Sequence, residues 1–331
     1  MNSYVRISQI AVYHPDRVLD NEYYIEHYKK QGKDVKNLLE NVYGRDKRYV
    51  IDENAEEKEN SLTMEIKAAK KVLEKAALTG KDIDMVVSAS QIPEYVVPCC
   101  SVMIHRAIEG KWDSICYDFN ANCISMVFAL ENVFRYMESN KRVNRVLLVG
   151  GEYTTQVHNP MNEYGYGVFG DAACAIILER TVRSSGLIDS DFFINDIYFD
   201  KMIFPHCGMS KIFESDKEAI LSTMEPVGCD LDEVERKLLD VIKRNGLEVK
   251  DIGMFCFSQY LIKNTEILKE HLNISDEQCI YVGDEYGYTG VSSPFLVLDR
   301  AIELGKVKRG DYIAFWTIGA GMQHIVMLIQ Y

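Results

Sequence analysis

Apolar residues recur along this chain in two patterns. The runs VLLVG, starting at Val146, and YIAFWTIG, starting at Tyr312, show no alternation, as expected of strands covered on both faces by helices. Between such runs lie stretches with helical periodicity. After the turn residues 121–123, Met126, Phe128, Ala129, Leu130, Val133 and Phe134 form one apolar stripe and predict a long amphipathic helix over 124–138. A strand is expected at 114–119, a basic turn at 141–145 and a strand over VLLVGGE. Further on the pattern predicts a helix at 261–272, a strand at 278–282, a helix at 293–304, a basic turn at 306–309 and a strand over YIAFWTIGAG. Three segments read as loose: 52–60, acidic and exposed; 153–170; and 184–232, read as an insertion.

The pattern repeats. AAKKVLEKAALTGKDIDMVVSASQ (68–91) and VERKLLDVIKRNGLEVKDIGMFCFSQ (234–259) each run from a lysine-bearing helix through a glycine turn and Lys-Asp-Ile into an apolar run ending in Ser-Gln. Lys81 and Lys250 are 169 residues apart in a chain of 331, and the downstream element order also matches. A period of half the chain predicts two similar α/β halves, 1–180 and 181–331, packed with sheets between helical layers. No Pro-, Gly- or Ser-rich linker separates them, so they are expected to share one interface.

Composition then narrows the partners. Fifty acidic residues against 37 Lys and Arg give a net charge of −13, a field that disfavours nucleic acid or an anionic membrane as partner. No apolar run reaches the length of a membrane span, and the start, MNSYVRISQIAVYHPDRV, lacks the pattern of a secretion signal. Nine cysteines without a C-x-x-C pair argue against a disulfide framework or a zinc site and for reduced thiols in the cytoplasm. No metal and no cofactor are expected.

One cysteine stands apart. In CYDFNANCISMVF, Cys123 occupies the turn between a strand and the 124–138 helix. A thiol there meets the positive end of the helix dipole, which favours the nucleophilic thiolate. The unpaired N–H groups nearby can hold an oxyanion. From position alone, a structural cysteine is the plainer expectation.

Around Cys123 the chain resembles the thiolase superfamily and, within it, the beta-ketoacyl-ACP synthase III group. The resemblance rests on ISQIAVYHPDRVLDN, SASQIPEYVVP, the D-x-N-A-x-C context of Cys123, VFGDAACAIIL and the closing IGAGMQHIVMLIQY. It implies a five-layer α-β-α-β-α fold and a tight dimer, homodimeric or heterodimeric with a related ketosynthase. It also implies acyl transfer in fatty-acid, polyketide or secondary-metabolite biosynthesis. Cys123 would be acylated from acyl carrier protein or acyl-CoA, with the Cys123 amide and the loop Gly319-Ala320-Gly321 as oxyanion donors. Val97 would reach across the dimer into the partner's acyl pocket, and Lys263 would dock the carrier.

Two departures from the family pattern change the expected chemistry. Ser258, in Ser258-Gln259-Tyr260-Leu261, replaces the family's histidine, and Tyr288 replaces its asparagine. A hydroxyl cannot serve as a general base near neutral pH, so the usual decarboxylative condensation is not expected. Leu38 and Val42 stand where the family carries the Trp and Arg that clamp coenzyme A, which favours a protein-borne donor. His324 could approach Cys123, though a core histidine is the plainer expectation. His158 and His206 are expected at the surface, and Glu94 is a weak acid/base candidate. Two functions follow: an acyltransferase of unusual active site, or a catalytically degenerate partner subunit of a heteromeric ketosynthase.

Overall fold

The computed structural model describes residues 4–331; residues 1–3, at the head of the segment inspected for a leader, lie outside the described residues. The strands are β1 (Tyr4–Tyr13), β2 (Arg17–Asp20), β3 (Lys47–Val50), β4 (Met85–Ala89), β5 (Ile115–Phe119), β6 (Arg145–Glu152), β7 (Ala172–Thr181), β8 (Gly186–Ile194), β9 (Met202–Ile203), β10 (Thr223–Met224), β11 (Ile252–Phe257), β12 (Tyr312–Gly319) and β13 (Gln323–Gln330). The helices are α1 (Asn21–Lys29), α2 (Ser61–Ala76), α3 (Cys100–Ala107), α4 (Ser125–Ser139), α5 (Lys217–Ile220), α6 (Leu231–Arg244), α7 (Ile262–Leu272), α8 (Gly283–Tyr286) and α9 (Ser293–Glu303).

The two main sheets have one plan. The first runs β1-β7-β6-β4-β5 and the second β8-β13-β12-β11. In each, the strand after the Lys-Asp-Ile turn pairs parallel with the next long strand (β4 with β6, β11 with β12), and two antiparallel strands complete the order. The turns entering β4 and β11 are built alike: the Thr79 N–H donates to Asp82 Oδ2 and the Glu248 N–H to Asp251 Oδ2, both at 2.8 Å. The aspartate three residues on caps the turn it closes, which is why the Lys-Asp-Ile signature appears twice.

Three buried clusters define five layers. α2 and α3 cover the outer face of the first sheet through Met64, Ala68, Val72, Ile104, Val86 and Leu147. α6 and α7 cover the second through Val234, Leu238, Leu268, Phe255 and Trp316. Between the sheets lie α4 and α9, whose Val127, Leu130, Phe134, Phe295 and Val297 meet both inner faces. Strands flanked on both sides have no polar face, as the unbroken apolar runs imply. No helix among the described residues is long and apolar enough to cross a membrane, and all nine cysteines are free thiols.

Two expectations need correcting. The segment 184–232 is not wholly an insertion: β8 occupies the place in the second sheet that β1 holds in the first, and only the stretch after it departs from the repeat. Residues 278–282 form no strand. This stretch touches β11 through a Phe255 N–H bond to Gln278 O at 2.7 Å, and side chains do the rest. Gln278 Nε2 donates to Val249 O and Ile252 O, and Gln259 Oε1 accepts from the amides of Val282 and Gly283. With its backbone groups satisfied locally, it lies where β5 lies in the first half without continuing the ladder.

The layered core sets a stability contrast. Phe295→Ala, in the central layer, is expected to destabilise the protein by about 3–5 kcal/mol. Phe213→Ala, at a ring that is 98% exposed, should change stability by no more than about 0.5 kcal/mol. Urea unfolding of both variants checks the pair.

Candidate active site

The turn that carries Cys123 is held in an unusual shape. Asn122, just before it, has φ +57°, in the left-handed region where asparagine is tolerated because its short amide can bond locally. Here Asn122 Nδ2 donates to Ala320 O at 3.0 Å, across to the loop between β12 and β13. Ser125, fully buried at the start of α4, accepts from the Ala121 amide at 2.7 Å and donates to Asn122 O. Gly319 lies against the turn so closely that a side chain there would approach Asn122 Cβ at 3.2 Å and the Cys123 nitrogen at 3.4 Å. The sulfur therefore sits where the N-terminal end of α4 meets a loop of the other half.

Three groups converge on that sulfur. Cys123 Sγ donates to Gln91 Oε1 at 3.3 Å. The Ala320 N–H and the Tyr288 hydroxyl also interact with it. Tyr288 lies close to the Ser258 hydroxyl as well, in a contact outside hydrogen-bond geometry that leaves Ser258 Oγ buried without a partner. The structure thus brings Cys123, Ser258, Tyr288 and Ala320 to one place. Tyr288 is set there by backbone bonds to VFGDAACA: its N–H donates to Val168 O and its C=O accepts from the Gly170 amide, both at 3.1 Å. Asp171 of that motif serves the scaffold, accepting from the amides of Ile51 and Thr155.

The segment of Ser258 depends on a buried arginine. Arg45 Nη2 donates to Gln259 O at 2.9 Å and Tyr260 O at 2.8 Å, and Arg45 Nε to Val168 O at 2.8 Å. Its guanidinium is spent on carbonyls and the Tyr281 hydroxyl, fixing both strand ends that frame the sulfur.

The helix end does not make Cys123 a thiolate. Burial raises the thiol to about 12, and the charge of Glu152 adds to that. The hydrogen bonds from Tyr288 and Ala320 oppose the rise without cancelling it. Removing a charged sulfur from water outweighs the dipole of one helix turn. In this state the sulfur is a neutral thiol at neutral pH.

A cavity of about 70 Å³ opens onto the sulfur, lined mainly by apolar side chains, among them Phe169, Met202, Met224, Tyr260 and Met322. At its rim the Lys201–Glu225 ion pair closes at 2.8 Å. The occupant's inner portion must therefore be apolar, since a polar group there would find few partners.

The remaining candidates lie elsewhere. His324 is buried, stacked 4.1 Å from Phe193, and accepts from Trp316 Nε1; desolvation lowers it to about 4, as a core histidine. His158 is not at the surface as expected: it is 3% exposed and stacks on Phe169 at 4.0 Å, because the loose segment 153–170 folds inward over the cavity wall. His206 and Glu94 are exposed. Lys263 pairs with Glu266 at 2.7 Å on the outer face of α7. Val97 is 85% exposed and does not line the cavity of its own chain. Leu38 packs beside Tyr43 and Tyr260, offering neither ring plane nor charge to an adenine. Gln91 and Glu152 carried no expectation. They end SASQ and VLLVGGE, and the only sequence signal was a lone acid closing an apolar strand.

Comparison with known proteins gives the family and the fold. The family model described as 3-Oxoacyl-[acyl-carrier-protein (ACP)] synthase III matches residues 117–195, and its C-terminal counterpart matches residues 242–331, together half of the chain. The chain belongs to the 3-oxoacyl-ACP synthase III family of the thiolase superfamily. Similar relatives include the beta-ketoacyl-[acyl-carrier-protein] synthase III of Coxiella burnetii (strain RSA 493 / Nine Mile phase I), 26% identical over 97% of both chains, and that of Helicobacter pylori (strain HPAG1), 28% identical over 81% of this chain and 83% of the other. Among solved structures, the priming beta-ketosynthase from the R1128 polyketide biosynthetic pathway superposes with a TM-score of 0.88 at 19% identity, covering 99% of this chain and 96% of that one; it shares the fold. In this chain Tyr288 stands beside the sulfur and Ser258 behind Tyr288.

The Asn122 bridge can be tested directly. Asn122→Ala should lower stability by about 1–3 kcal/mol, since it loses the bond to Ala320 O and the side-chain amide that makes positive φ tolerable. Asn122→Gly, which keeps the backbone shape, should lose less. Urea unfolding gives both values.

Proposed function

We propose that this synthase III family member is an acyltransferase that loads an acyl group from a thioester onto Cys123 and passes it to an acceptor without decarboxylation. The observation that carries it is Cys123 Sγ at the floor of an apolar cavity, with the Ala320 N–H directed at it. In the acylation step the sulfur bonds to the thioester carbon and the carrier thiol departs with the proton. The developing oxyanion takes hydrogen bonds from backbone N–H groups at the Cys123 turn and the 319–321 loop, donors already in place before reaction. Ser258 and Tyr288 offer hydroxyls where an enolate would need imidazole and amide, so the acceptor brings its own nucleophile.

The donor is an acyl carrier protein or an acyl-CoA. The absence of a ring plane at Leu38 supports the carrier protein, with Lys263 within a docking patch for its acidic surface. The relatives are named for acyl-carrier-protein substrates, which supports the same source. A homodimer is the assembly this reading requires. β5 ends the first sheet with an unpaired edge, and Val96, Val97 and Trp112 nearby are exposed; an edge flanked by exposed apolar side chains calls for a partner. Val97 then enters the partner's acyl pocket.

Intact-mass spectrometry after incubation with acyl-ACP or acyl-CoA should show one acyl group added to the wild-type chain and none on Cys123→Ala, with no carbon dioxide released from malonyl-ACP. No adduct from any donor sinks the proposal. A thiol held neutral by burial supports a second reading, a degenerate subunit of a heteromeric ketosynthase, and co-elution with an intact related chain together with no adduct would favour it. Sedimentation is expected to give twice the 37.9 kDa chain mass; a monomer at micromolar concentration would remove the role of Val97.

A further inference from the structure

Acyl transfer to Cys123 needs its proton moved, and no imidazole touches the sulfur. The group that does accept the thiol proton in a hydrogen bond is Gln91 Oε1, at 3.3 Å. Which end of that amide faces the sulfur is decided on its far side. Glu152 is fully buried at the end of β6; its Oε1 accepts from the Gln91 N–H at 2.9 Å and its Oε2 from Gln91 Nε2 at 3.0 Å, with the Val291 amide at 3.4 Å. A carboxylate can only accept, so it claims the NH2 of Gln91 and leaves the carbonyl oxygen for the thiol. The carboxyl has no room to turn aside: Gly290, at φ +56°, has so little space that a Cβ would lie 1.7 Å from Glu152 Oε2.

An acceptor facing sulfur suits S–H and repels a thiolate. The opposite orientation of Gln91, Nε2 to sulfur and Oε1 to Glu152, suits a thiolate and requires Glu152 to donate a hydrogen. We infer that Glu152, acting through the orientation of Gln91, sets the protonation state of Cys123, the two groups sharing one proton in place of a catalytic imidazole. Gln91, in contact with the reacting sulfur, is then a catalytic residue and Glu152 a positioning residue. The inference rests on Cys123 being the nucleophile. The balance is closed: the thiol with ionised Glu152 becomes the thiolate with protonated Glu152, the sulfur–carbon bond forms as the carrier's carbon–sulfur bond breaks, and the proton held at Glu152 goes to the departing thiolate.

The surroundings permit the exchange. Burial pushes the Glu152 carboxyl up to about 8, so both of its forms are accessible near neutral pH. Besides Cys123, the charged or titratable groups that face it include Glu65 of α2, buried and bonded by Ser88; beyond Glu65 lies Asp118 of β5, which accepts from the Cys100 and Ser101 amides. Tyr288 faces it from the loop before α9. None of these is a cation, so no charge pins Glu152 in its ionised form.

The linkage has a signature that a purely structural contact lacks. While Glu152 is protonated, thiolate forms in proportion to hydroxide and the logarithm of thiol reactivity rises with slope one. Once Glu152 ionises, the reactive form (thiolate with protonated Glu152) and the resting form (thiol with ionised Glu152) carry equal numbers of protons, and reactivity stops rising with pH. The experiment is the rate of iodoacetamide alkylation against pH, read on the Cys123 peptide by mass spectrometry, for the wild type and Glu152→Gln. We expect a plateau in the wild type and an uninterrupted slope of one in Glu152→Gln, which becomes about tenfold faster for each pH unit along the plateau. A wild-type profile of slope one throughout, or a plateau that survives Glu152→Gln, overturns the inference; should Glu152→Gln not fold, the wild-type profile alone decides. Alkylation needs no acyl donor, so a plateau without acylation would sink the proposed function and leave this linkage standing.

Discussion

The site exists because two turns from different halves of a duplicated chain meet. Asn122, in a left-handed conformation, donates its side-chain N–H to Ala320 O, while Ala320's own amide is directed at the sulfur next door. Either half alone would supply a strand end without a partner. The meeting is possible because β12 of the second sheet ends level with the turn after β5 of the first, and that level is set by the helices α4 and α9 packed between the sheets. A close-packed layer transmits position with little slack, so donors placed by it need not reorganise when charge develops.

The same packing creates the electrostatic problem. A cysteine deep enough to be screened from water is raised rather than activated, and the expectation of a dipole-stabilised thiolate fails on magnitude. A helix end contributes roughly 0.3–1 kcal/mol, up to about 2 in favourable sites, whereas full burial shifts an ionisation by as much as about 3–5 units. The acyl transfer proposed above has to draw its proton acceptor from groups already in the core. Glu152 and Gln91 are such groups, and their position beneath the sulfur follows from β4 and β6 being neighbours in parallel register, Ala89 beside Gly150.

Much of the fold was legible because it rests on periodicities that survive without context. The repeated Lys-Asp-Ile turn is a capped turn in both halves, and unbroken apolar runs became doubly covered strands. The failures have local causes. Residues 278–282 have strand-like composition, but the side chains of Gln259 and Gln278 satisfy their neighbourhood's backbone before a ladder forms. The strand β8 was hidden because polar Asp189, Ser190 and Asp191 interrupt it; Asp189 and Asp191 face α6, where Lys237 and Arg244 neutralise them, and Ser190 faces α4, donating to Glu131. His158 looked like a surface residue in a polar segment and is stacked in the interior. In the site, motif residues were legible and their supports were not: nothing in Glu152 as a letter says that three N–H groups converge on it.

The rings beside the sulfur also shape the chamber. Tyr260 and Tyr288 bring two rings to the sulfur, in edge or tilted contact with each other, with Tyr43 and with Phe169. Rings packed this way are stiff and apolar on their faces, so the space left to a substrate is defined by shape more than by polar recognition. On the other wall Met202, Met224 and Met322 are unbranched and adaptable. A rigid aromatic side against a pliable methionine side suits an acyl chain held at its carbonyl end and variable beyond it. In the acyl transfer proposed above, the carbonyl would be held by backbone N–H groups that side-chain changes other than proline leave in place, while chain preference would fall to three methionines that substitution can change one at a time.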